Sequence, residues 1–362
     1  MSDREIARLR DEIAAVDEEI VALVARRLHL AEEIGLEKEL SGLPVRDAGV
    51  EALVRSRLLE ACRGRGVSEA FAASLSHLLV EESVGRQAGV RPPEPRPQRV
   101  AVVGGAGRMG RWLSRYLRAR GHDVVVNDPA GAVEGFPLAP DLRRAVARAD
   151  VVAVSVPLSA AASVLQEIAD VGPHGLVFDL CSLKAPVAPA LRSMASDGVR
   201  VASVHPLFGP DVGPASSGMI LFSDCGSAAA LREAKDLFQE TGAALVDVPL
   251  DRHDRLMATV LGLSHLTLLA FARAADDPLA PPGLRHAAGT TFARLAAAAD
   301  HLLGDSPEML RDIQALNPHT PEVLRRLRDA LDAWGRAAED SDGKDFITMV
   351  EQARSFLGGP HA

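Results

Sequence analysis

The sequence has few cysteines, no excess of positive charge and no long apolar run, and each shortage excludes a class of protein. Its three cysteines, Cys62, Cys181 and Cys225, are widely spaced and odd in number, so they predict neither a disulfide framework nor a structural zinc site. Lysine and arginine total 40 against 49 aspartate and glutamate residues, a formal net charge of −9. That balance argues against a protein whose main partner is the nucleic-acid backbone.

The N-terminal stretch MSDREIARLRDE is charged and lacks the apolar core of a signal peptide. No uninterrupted run of about 18 or more apolar residues follows, which is the length that a transmembrane helix needs. We therefore expect a cytoplasmic protein without a membrane partner. Its 362 residues are enough for two or three domains.

Hydrophobic periodicity divides the chain into parts. Residues 1–90 carry no strand signal and predict helices, with breaks at Gly42, Pro44 and the stretch GRGVS. Residues 91–98, RPPEPRPQ, predict a linker, because proline neither continues a helix nor pairs in a central strand. Residues 99–250 alternate short β-branched runs with helical stretches, which is typical of a parallel sheet covered by helices. Residues 251–362 predict helices again.

The first predicted strand of the central part runs into a glycine-rich loop, VVGGAGRMGRW. Gly105, Gly107 and Gly110 form the pattern G-x-G-x-x-G of dinucleotide-binding proteins. In that pattern the first glycine permits a tight turn, the second admits a pyrophosphate to the backbone, and the third lets helix and strand pack closely. The start of the following helix would bind the phosphates through its exposed N–H groups.

Asp128 ends the second predicted strand, DVVVND, roughly 20 residues after the loop, where a carboxylate accepts hydrogen bonds from ribose hydroxyls. A carboxylate there also repels a 2′-phosphate, so we predict NAD rather than NADP as the cofactor. The alternative is that Asp128 only begins the turn NDP. The residues predicted to contact the cofactor are Gly104, Gly105, Gly107, Arg108, Met109, Gly110, Asp128, Ser155 and Pro157.

Polar side chains follow the later predicted strands, where an open sheet binds its ligands. Among them are Ser155 in VSVP, Lys184 in DLCSLK and His205 in SVHPLFGPD. A rigid turn that contains Pro206 and Pro210 follows His205 and would fix its imidazole over a nicotinamide. Histidine accepts a proton near neutral pH, and hydride transfer from an alcohol carbon needs such a base. His205 is therefore the predicted catalytic base, although most histidines in proteins are solvated or buried without a catalytic role.

The first predicted helix carries an apolar stripe whose continuation meets two cations. Arg27 and Lys38 fall where buried apolar side chains are expected, and buried charges need partners. A helix from Asp3 to Leu40 would be about 55 Å long, so we expect it to pair with another subunit. Arg27 and Lys38 would then line an anion pocket; the alternative is that both reach solvent. The stripe consists of Ile6, Leu9, Ile13, Val16, Ile20 and Leu23, and continues through Leu30 and Ile34.

The opening LRDEIAAVDEEIVALVARRLHLAEEIGLEK, with LPVRD and HLLVEESVGRQ, resembles the all-helical chorismate mutase family, and the rest resembles prephenate dehydrogenase. The order of the parts resembles the bifunctional chorismate mutase/prephenate dehydrogenase family over nearly the whole chain. This resemblance implies a multidomain fold: an all-α mutase domain, an α/β Rossmann domain and an all-α dimerisation domain.

The resemblance also implies two reactions. Chorismate would be rearranged to prephenate, and prephenate with NAD+ would give 4-hydroxyphenylpyruvate, CO2 and NADH. The enzyme would be a homodimer in the biosynthesis of tyrosine or of a tyrosine-derived natural product, with small molecules as its substrates.

For the mutase, the resemblance implies that Arg10 of the partner subunit and Arg27 bind the two carboxylates of chorismate, while Lys38 and Gln87 contact the ether oxygen. Val50 departs from the bacterial pattern, which often has an arginine just before the glutamate. One alternative is therefore a front domain that no longer rearranges chorismate, or that acts as a pyruvate lyase on isochorismate. Asp47, Glu51 and Ser83 also fall on active-site positions of the family.

For the dehydrogenase, the resemblance implies that His205 binds the 4-hydroxyl and takes its proton while hydride leaves C4. Ser155 would hydrogen-bond near the same hydroxyl, and Lys184 would support the site. His253 and His265 match a helical segment that faces the substrate.

His301 departs from many relatives, which have an arginine there to hold the ring carboxylate; Arg294, two helical turns earlier, is its possible replacement. Arogenate and 4-amino-4-deoxyprephenate are therefore alternative substrates. A generic 3-hydroxyacid dehydrogenase and a metabolite-binding regulator without turnover are the further alternatives.

Overall fold

The computed structural model describes residues 3–41, 43–89, 97–209, 218–276 and 289–357. They form two compact units, Met1–Cys181 with Ala188–Pro249, and Ser182–Val187 with Leu250–Ala362. The short segment Ser182–Val187 thus groups with the C-terminal helices, although it lies within the central part of the sequence. Gly42, residues 91–96 of the predicted linker and Pro210 of the turn after His205 lie outside the described residues.

The front of the chain forms helices, as its periodicity predicts. These are α1 (Asp3–Leu40), α2 (Ala48–Arg63) and α3 (Glu69–Gly89). Both α1 and α2 pack against α3. Gly35 allows α1 and α3 to approach closely, because a Cβ at Gly35 would lie only 2.8 Å from the Cα of Gln87.

The apolar stripe of α1 is not covered by the described residues of its own chain. Where the structure describes the side chains, the middle of the stripe is more than half exposed, at Ile13, Val16, Ile20 and Leu23. The buried residues of α1 lie on another face, at Leu28, Ala31 and Gly35. The side chain of Ile6 lies outside the described part. The expected seam is therefore not formed within one chain, and its pairing with a second subunit stays a prediction.

The central part forms the predicted α/β domain around a sheet with seven strands in its described residues. The strands are β1 (Arg99–Val103), β2 (Asp123–Asn127), β3 (Val151–Val154), β4 (Leu176–Asp179), β5 (Val201–Pro206), β6 (Met219–Asp224) and β7 (Ala244–Asp247), in the order β2-β1-β3-β4-β5-β6-β7. The helices are α4 (Arg108–Ala119), α5 (Leu142–Val146), α6 (Leu158–Val171), α7 (Ala188–Ser196) and α8 (Ala228–Phe238).

The sheet is mixed, which corrects the prediction of a parallel sheet. Strands β1 to β5 pair in parallel, but β5 and β6 pair antiparallel, with His205 opposite Leu221. Strand β6, with the sequence MILFSD, was not predicted. A short apolar run after a stretch rich in glycine and proline gives no local sign of its pairing direction, because the neighbouring strands decide that direction.

The central strands β3, β4 and β5 are buried on both faces, which is why their sequences are nearly continuous apolar runs. Val102, Val151 and Phe178 have no exposed surface. Phe178 and Phe222 each meet the ring of Phe238 of α8 edge-on, with ring centres 5.7 and 5.9 Å apart. This core supports the sheet edge at which β1, β3 and β5 end.

The C-terminal helices begin with α9 (Leu250–Met257), a π-helical turn (Ala258–Leu263) and α10 (Ser264–Ala274), in one unbroken run. By length and composition alone this run, with a mean hydropathy of 1.5, is able to cross a membrane. A single helix of this kind is weak support for a membrane span, since core helices of soluble proteins have the same composition. The remaining described helices are α11 (Thr290–Leu303), α12 (Pro307–Ala315), α13 (Thr320–Glu339) and α14 (Lys344–Leu357).

Candidate active sites

The glycine loop joins β1 to α4, and its tight turn falls at Gly104. Gly104 has a φ of +82°, and a Cβ there would lie 2.3 Å from the carbonyl oxygen of Ser155. The sequence pattern had assigned this turn to Gly105. Gly105 is instead required for a close approach, because its Cβ would lie 2.5 Å from Cγ1 of Val126. Gly110 packs as expected, since a Cβ there would lie 2.2 Å from the carbonyl oxygen of Gly104.

Gly107 is the N-cap residue of α4, directly before the first helical residue, Arg108. It has an extended backbone, no side chain caps the helix, and the first turn carries no acidic residue. A Cβ at Gly107 would lie 3.3 Å from the nearest protein atom, so the protein itself crowds this position much less than Gly104 or Gly110. The N–H groups of a helix's first turn have no partner within the helix, and with space before them they fit a pyrophosphate.

Asp128 lies beside this loop and also begins a turn. The geometry is therefore compatible both with a cofactor-binding carboxylate and with a residue that begins the turn NDP. One carboxylate oxygen accepts a hydrogen bond from the backbone N–H of Ala106 in the loop, at 2.9 Å. The other accepts from the N–H of Ala130, at 2.8 Å. The carboxylate is thereby held at the end of β2, next to the candidate phosphate site; its binding of ribose stays a prediction.

Ser155 and His205 lie at the carboxyl ends of parallel strands, as does the glycine loop. Ser155 comes directly after β3, and its N–H donates to the carbonyl of Val103 at 2.7 Å. His205 is near the end of β5 and only 3% exposed. Because β1, β3 and β5 run in parallel, they bring the loop, Ser155 and His205 to one edge of the sheet.

A buried carboxylate stands on the His205 face of the sheet. Asp179, at the end of β4, has no exposed surface and accepts a hydrogen bond from the hydroxyl of Ser203 at 2.6 Å. Its other oxygen accepts from the N–H of Cys181 at 2.9 Å. Ser203 and His205 share a face of β5, since alternate residues of a strand point the same way. The Asp179–Ser203 pair therefore fixes the strand that carries His205.

In the front helices, Arg27 and Lys38 are half-buried and bind protein oxygens. Arg27 donates to the carbonyl of Leu79 at 2.7 Å and to the hydroxyl of Ser83. Burial lowers the pKa of the Arg27 guanidinium. Lys38 donates to the carbonyl of Val45 at 2.6 Å. The alternative in which both side chains run freely into solvent does not match this geometry.

Gln87 completes this group from α3. Its side-chain oxygen is buried and has no hydrogen-bond partner among the described residues. The backbone and Cβ of Gln87 lie against Gly35, which stands about one helical turn before Lys38 on α1. A buried polar atom without a partner is uncommon, and an ordered water or a polar ligand would satisfy it.

The other predicted mutase residues have local partners. Asp47 caps α2 through one oxygen, which accepts from the N–H groups of Gly49 and Val50 at 2.9 and 3.1 Å. Glu51 pairs with Arg46 at 3.3 Å. Val50 and Arg10 are exposed. Substrate contacts of these residues stay predictions.

In the C-terminal unit, Lys184 and His253 are fully enclosed, with 1% and 0% exposure. Asp254 connects them: its Oδ1 accepts from the backbone N–H of Lys184 at 2.7 Å and lies 2.8 Å from Nδ1 of His253. Its Oδ2 accepts from the N–H of Ala185 at 2.6 Å. The structure thus brings two of the predicted substrate residues to one carboxylate.

His265 lies twelve residues after His253, and the π-turn lies between them. In a continuous α-helix the two side chains would point about 120° apart. A π-turn holds roughly one extra residue, which reduces this angle to about 20°. Both histidines therefore project from nearly the same face of the helical run.

His265 is half-buried, and its Nδ1 has no hydrogen-bond partner among the described residues. Burial lowers the pKa of His265, and the charge of Asp305 offsets part of this effect.

Arg294 and His301 are exposed on α11, seven residues apart and so on one face of that helix. Their role in binding a ring carboxylate stays a prediction.

The chain consists of an all-helical domain with half-buried cations, followed by an open sheet with a glycine loop and a histidine at a strand end. These features define a multidomain enzyme of the nucleotide-dependent dehydrogenase class. Residues 9–88 match chorismate mutase type II, and residues 115–246 match the nucleotide-binding domain of prephenate dehydrogenase. The chain is 33% identical over 276 residues to a 4-amino-4-deoxyprephenate dehydrogenase of Streptomyces pristinaespiralis, covering 72% of this chain and 91% of that protein. It belongs to the prephenate dehydrogenase family and carries a chorismate mutase type II domain in front.

Two further relatives agree with this assignment. The T-protein of Enterobacter agglomerans is 25% identical over 359 residues, which cover 98% of this chain and 93% of that protein. A prephenate dehydrogenase of A. aeolicus, solved with hydroxyphenyl propionate and NAD+, has the same fold, with a TM-score of 0.58 at 17% identity. It covers 73% of this chain, and 99% of its own length is matched.

Sequence reasoning did not find Asp254, Asp179 or Asn317. Asp254 stands next to His253, but nothing local indicates that it binds a segment about seventy residues away. The side chain of Asn317 donates to the carbonyl of Asp254 at 2.8 Å, and no local sequence pattern indicates this contact either. Within the described ranges, no group of three or more His, Cys, Asp or Glu side chains is arranged to hold a metal ion.

Proposed function

We propose that the chain rearranges chorismate to prephenate and then oxidises prephenate with NAD+ to 4-hydroxyphenylpyruvate, CO2 and NADH. The observation that carries this proposal is the succession of a mutase domain and a dehydrogenase domain in one chain, matched over 98% of its length by a T-protein. The product of the first domain is then the substrate of the second.

The mutase step needs neither a nucleophile nor an acid, because it is an intramolecular pericyclic shift. The protein must hold a compact diaxial conformer and stabilise the negative charge that grows on the ether oxygen. Arg27 and Arg10 of the partner subunit would bind the carboxylates, and Lys38 with Gln87 would donate to the ether oxygen. The half-buried cations support these roles. For Gln87 the amide nitrogen would donate, and its buried side-chain oxygen, which has no partner among the described residues, remains to accept from another donor.

In the dehydrogenase step, the open helix start at Gly107 and the carboxylate of Asp128 would hold NAD+, which supplies the hydride acceptor. His205 would take the proton of the 4-hydroxyl as hydride leaves C4. Loss of the ring carboxylate as CO2 then makes the ring aromatic. Ser155 at the same sheet edge would hydrogen-bond near this hydroxyl, and Lys184, His253 and His265 would contact the substrate.

We also propose a cytoplasmic homodimer in tyrosine or tyrosine-derived natural-product biosynthesis. The exposed stripe on α1 supports the dimer, because Ile13 and Leu23 are 61% and 64% exposed in a single chain. A second copy of the same helix would cover such a stripe and would bring its Arg10 to the neighbouring mutase site.

A second substrate is favoured by one comparison. The 33% identical relative is named for 4-amino-4-deoxyprephenate, whereas the T-proteins are 25% identical. His301 in place of the usual arginine adds to this second candidate. In that case His205 would face an amino group at C4, and the product would be the amino analogue of 4-hydroxyphenylpyruvate.

The deciding experiment supplies purified protein with NAD+ and, separately, chorismate, prephenate, arogenate and 4-amino-4-deoxyprephenate, and follows NADH, CO2 and the keto-acid or amino-acid product. NADH from chorismate and from prephenate is expected. NADH from prephenate but not chorismate would overturn the mutase half. Preference for the amino substrate would replace the proposed substrate, and no NADH from any of them would overturn the dehydrogenase proposal. Repeating the successful reaction with NADP+ tests the preference that Asp128 predicts.

A further inference from the structure

Asp254 is the meeting point of three segments of the C-terminal unit. It lies on α9 and is 5% exposed. Its carboxylate binds the backbone of Lys184 and Ala185, which are distant in sequence, and the ring of its neighbour His253. Its carbonyl accepts from the side chain of Asn317, in the turn between α12 and α13, at 2.8 Å.

The carboxylate is ionised and accepts three hydrogen bonds. Burial alone would raise the pKa of Asp254, but hydrogen bonds from His253, Lys184 and Ala185 outweigh it, and the pKa lies below its ordinary value. An ionised carboxylate only accepts hydrogen bonds, so Nδ1 of His253 must carry the proton of that contact. The contact therefore sets both the tautomer and the orientation of the imidazole.

We propose that Asp254 is a positioning residue of the dehydrogenase, which places Lys184 and His253 together for one substrate. This inference rests on the proposed function, in which both residues contact the substrate. Asp254 itself acts through them: two backbone bonds fix the segment that carries Lys184, and one ring bond fixes His253.

Only a carboxylate of this length serves all three donors. Asparagine has the same shape, but its amide nitrogen would face a backbone N–H or the ring N–H, and two donors do not bind each other. In either orientation of the amide, Asp254→Asn therefore removes at least one of the two hydrogen bonds that hold the backbone of Lys184 and Ala185, while the volume of the core stays constant. A misplacement of about 1 Å costs roughly 100-fold in rate in well-ordered sites.

The test compares Asp254→Asn with Asp312→Asn in the full-length protein. Asp312 is a matched control because it is also 5% exposed in the same unit and its carboxylate lies 3.6 Å from the guanidinium of its neighbour Arg311. We expect Asp254→Asn to lower kcat about 100-fold, with an unchanged Kd for NAD+. Amide hydrogen exchange should accelerate in residues 182–187 of this variant and not in the control.

Turnover by Asp254→Asn equal to that of the control would overturn the proposal, and so would unchanged exchange in residues 182–187. If amide exchange accelerates throughout the Asp254→Asn protein, the milder variant Asn317→Ala tests the proposal instead. It removes the hydrogen bond to the backbone carbonyl of Asp254 and leaves the carboxylate in place. A several-fold lower kcat with faster exchange in residues 182–187 is then expected, and wild-type values would overturn the proposal. Exchange needs no substrate, so absence of turnover in the wild type would refute the proposed function while the placement of Lys184 is still measured.

Discussion

The front helices and the central sheet contain similar apolar residues but use them differently. In the sheet, Val102 and Val151 are completely buried by strands and helices of the same chain. In α1, Val16 and Leu23 stay 53% and 64% exposed. The sheet thus completes its core within one chain, whereas the helical domain presents a stripe that its own chain does not cover.

This difference separates two sources of stability. Full burial of a valine or leucine side chain contributes about 1.5–3 kcal/mol, so the exposed stripe represents a considerable driving force for association. Part of the front domain's stability should depend on protein concentration, and that of the sheet should not. The difference also applies to chemistry, since the sheet gathers its glycine loop, Ser155 and His205 from one chain, while the mutase is expected to need Arg10 of a partner.

The largest effect is expected when only the dehydrogenase site of the sheet is inactivated, which tests whether the sheet and the front helices act independently. His205→Asn removes the base while keeping a hydrogen-bonding side chain, and dehydrogenase kcat should fall about 10²–10⁴-fold. The rate of conversion of chorismate to prephenate, measured as the loss of chorismate absorbance, should equal that of the wild type. A comparable fall in mutase activity would show that the two regions do not function separately.

The reverse change tests the helical region. Lys38→Met keeps the length of the side chain and removes its charge, so mutase kcat should fall about 10²–10³-fold through loss of a donor to the ether oxygen. Oxidation of added prephenate should not change. Glu37→Gln, one residue away on the exposed side of α1, is the control for a general effect of altered charge.

A matched pair of leucines tests the two sources of stability. Leu113, in α4, has no exposed surface, and Leu113→Ala should lower the free energy of unfolding by about 2–5 kcal/mol at any protein concentration. Leu23→Ala should instead weaken self-association. The difference in Tm between this variant and the wild type should therefore become smaller as the protein concentration rises. Sedimentation and calorimetry over a hundredfold range of concentration separate these results, and a concentration-independent loss for Leu23→Ala would contradict the proposed subunit contact.

The smallest effect concerns His265 in the C-terminal helices, a half-buried imidazole whose Nδ1 has no hydrogen-bond partner among the described residues. Its pKa in the folded protein lies below the ordinary value of 6.5, so the unfolded chain binds more protons as the pH falls through that value. Acid should therefore destabilise the wild type more than His265→Gln between pH 7 and pH 5, as measured by Tm. Parallel Tm curves for the two proteins would mean that His265 titrates normally when folded.

Local patterns were sufficient for much of the molecule. The span of α1, the strands from β1 to β5 and the position of the glycine loop follow from periodicity and turn residues. The half-buried state of Arg27 and Lys38 was also predictable, because charges at apolar positions of a stripe must find partners. Local patterns did not distinguish Gly104 from Gly105, since which of two adjacent glycines takes the positive φ depends on Ser155 and Val126 of neighbouring strands.

The sequence by itself determined the helices, most of the strands and the residues available for chemistry, because those properties depend on neighbours within a few positions along the chain. Only the tertiary structure decided the antiparallel direction of β6, the common face of His253 and His265, and the bonds from Asp254 to Lys184 and Ala185. Each of these depends on a partner strand, an altered helical turn or a donor far away in the sequence, and no local pattern records such partners.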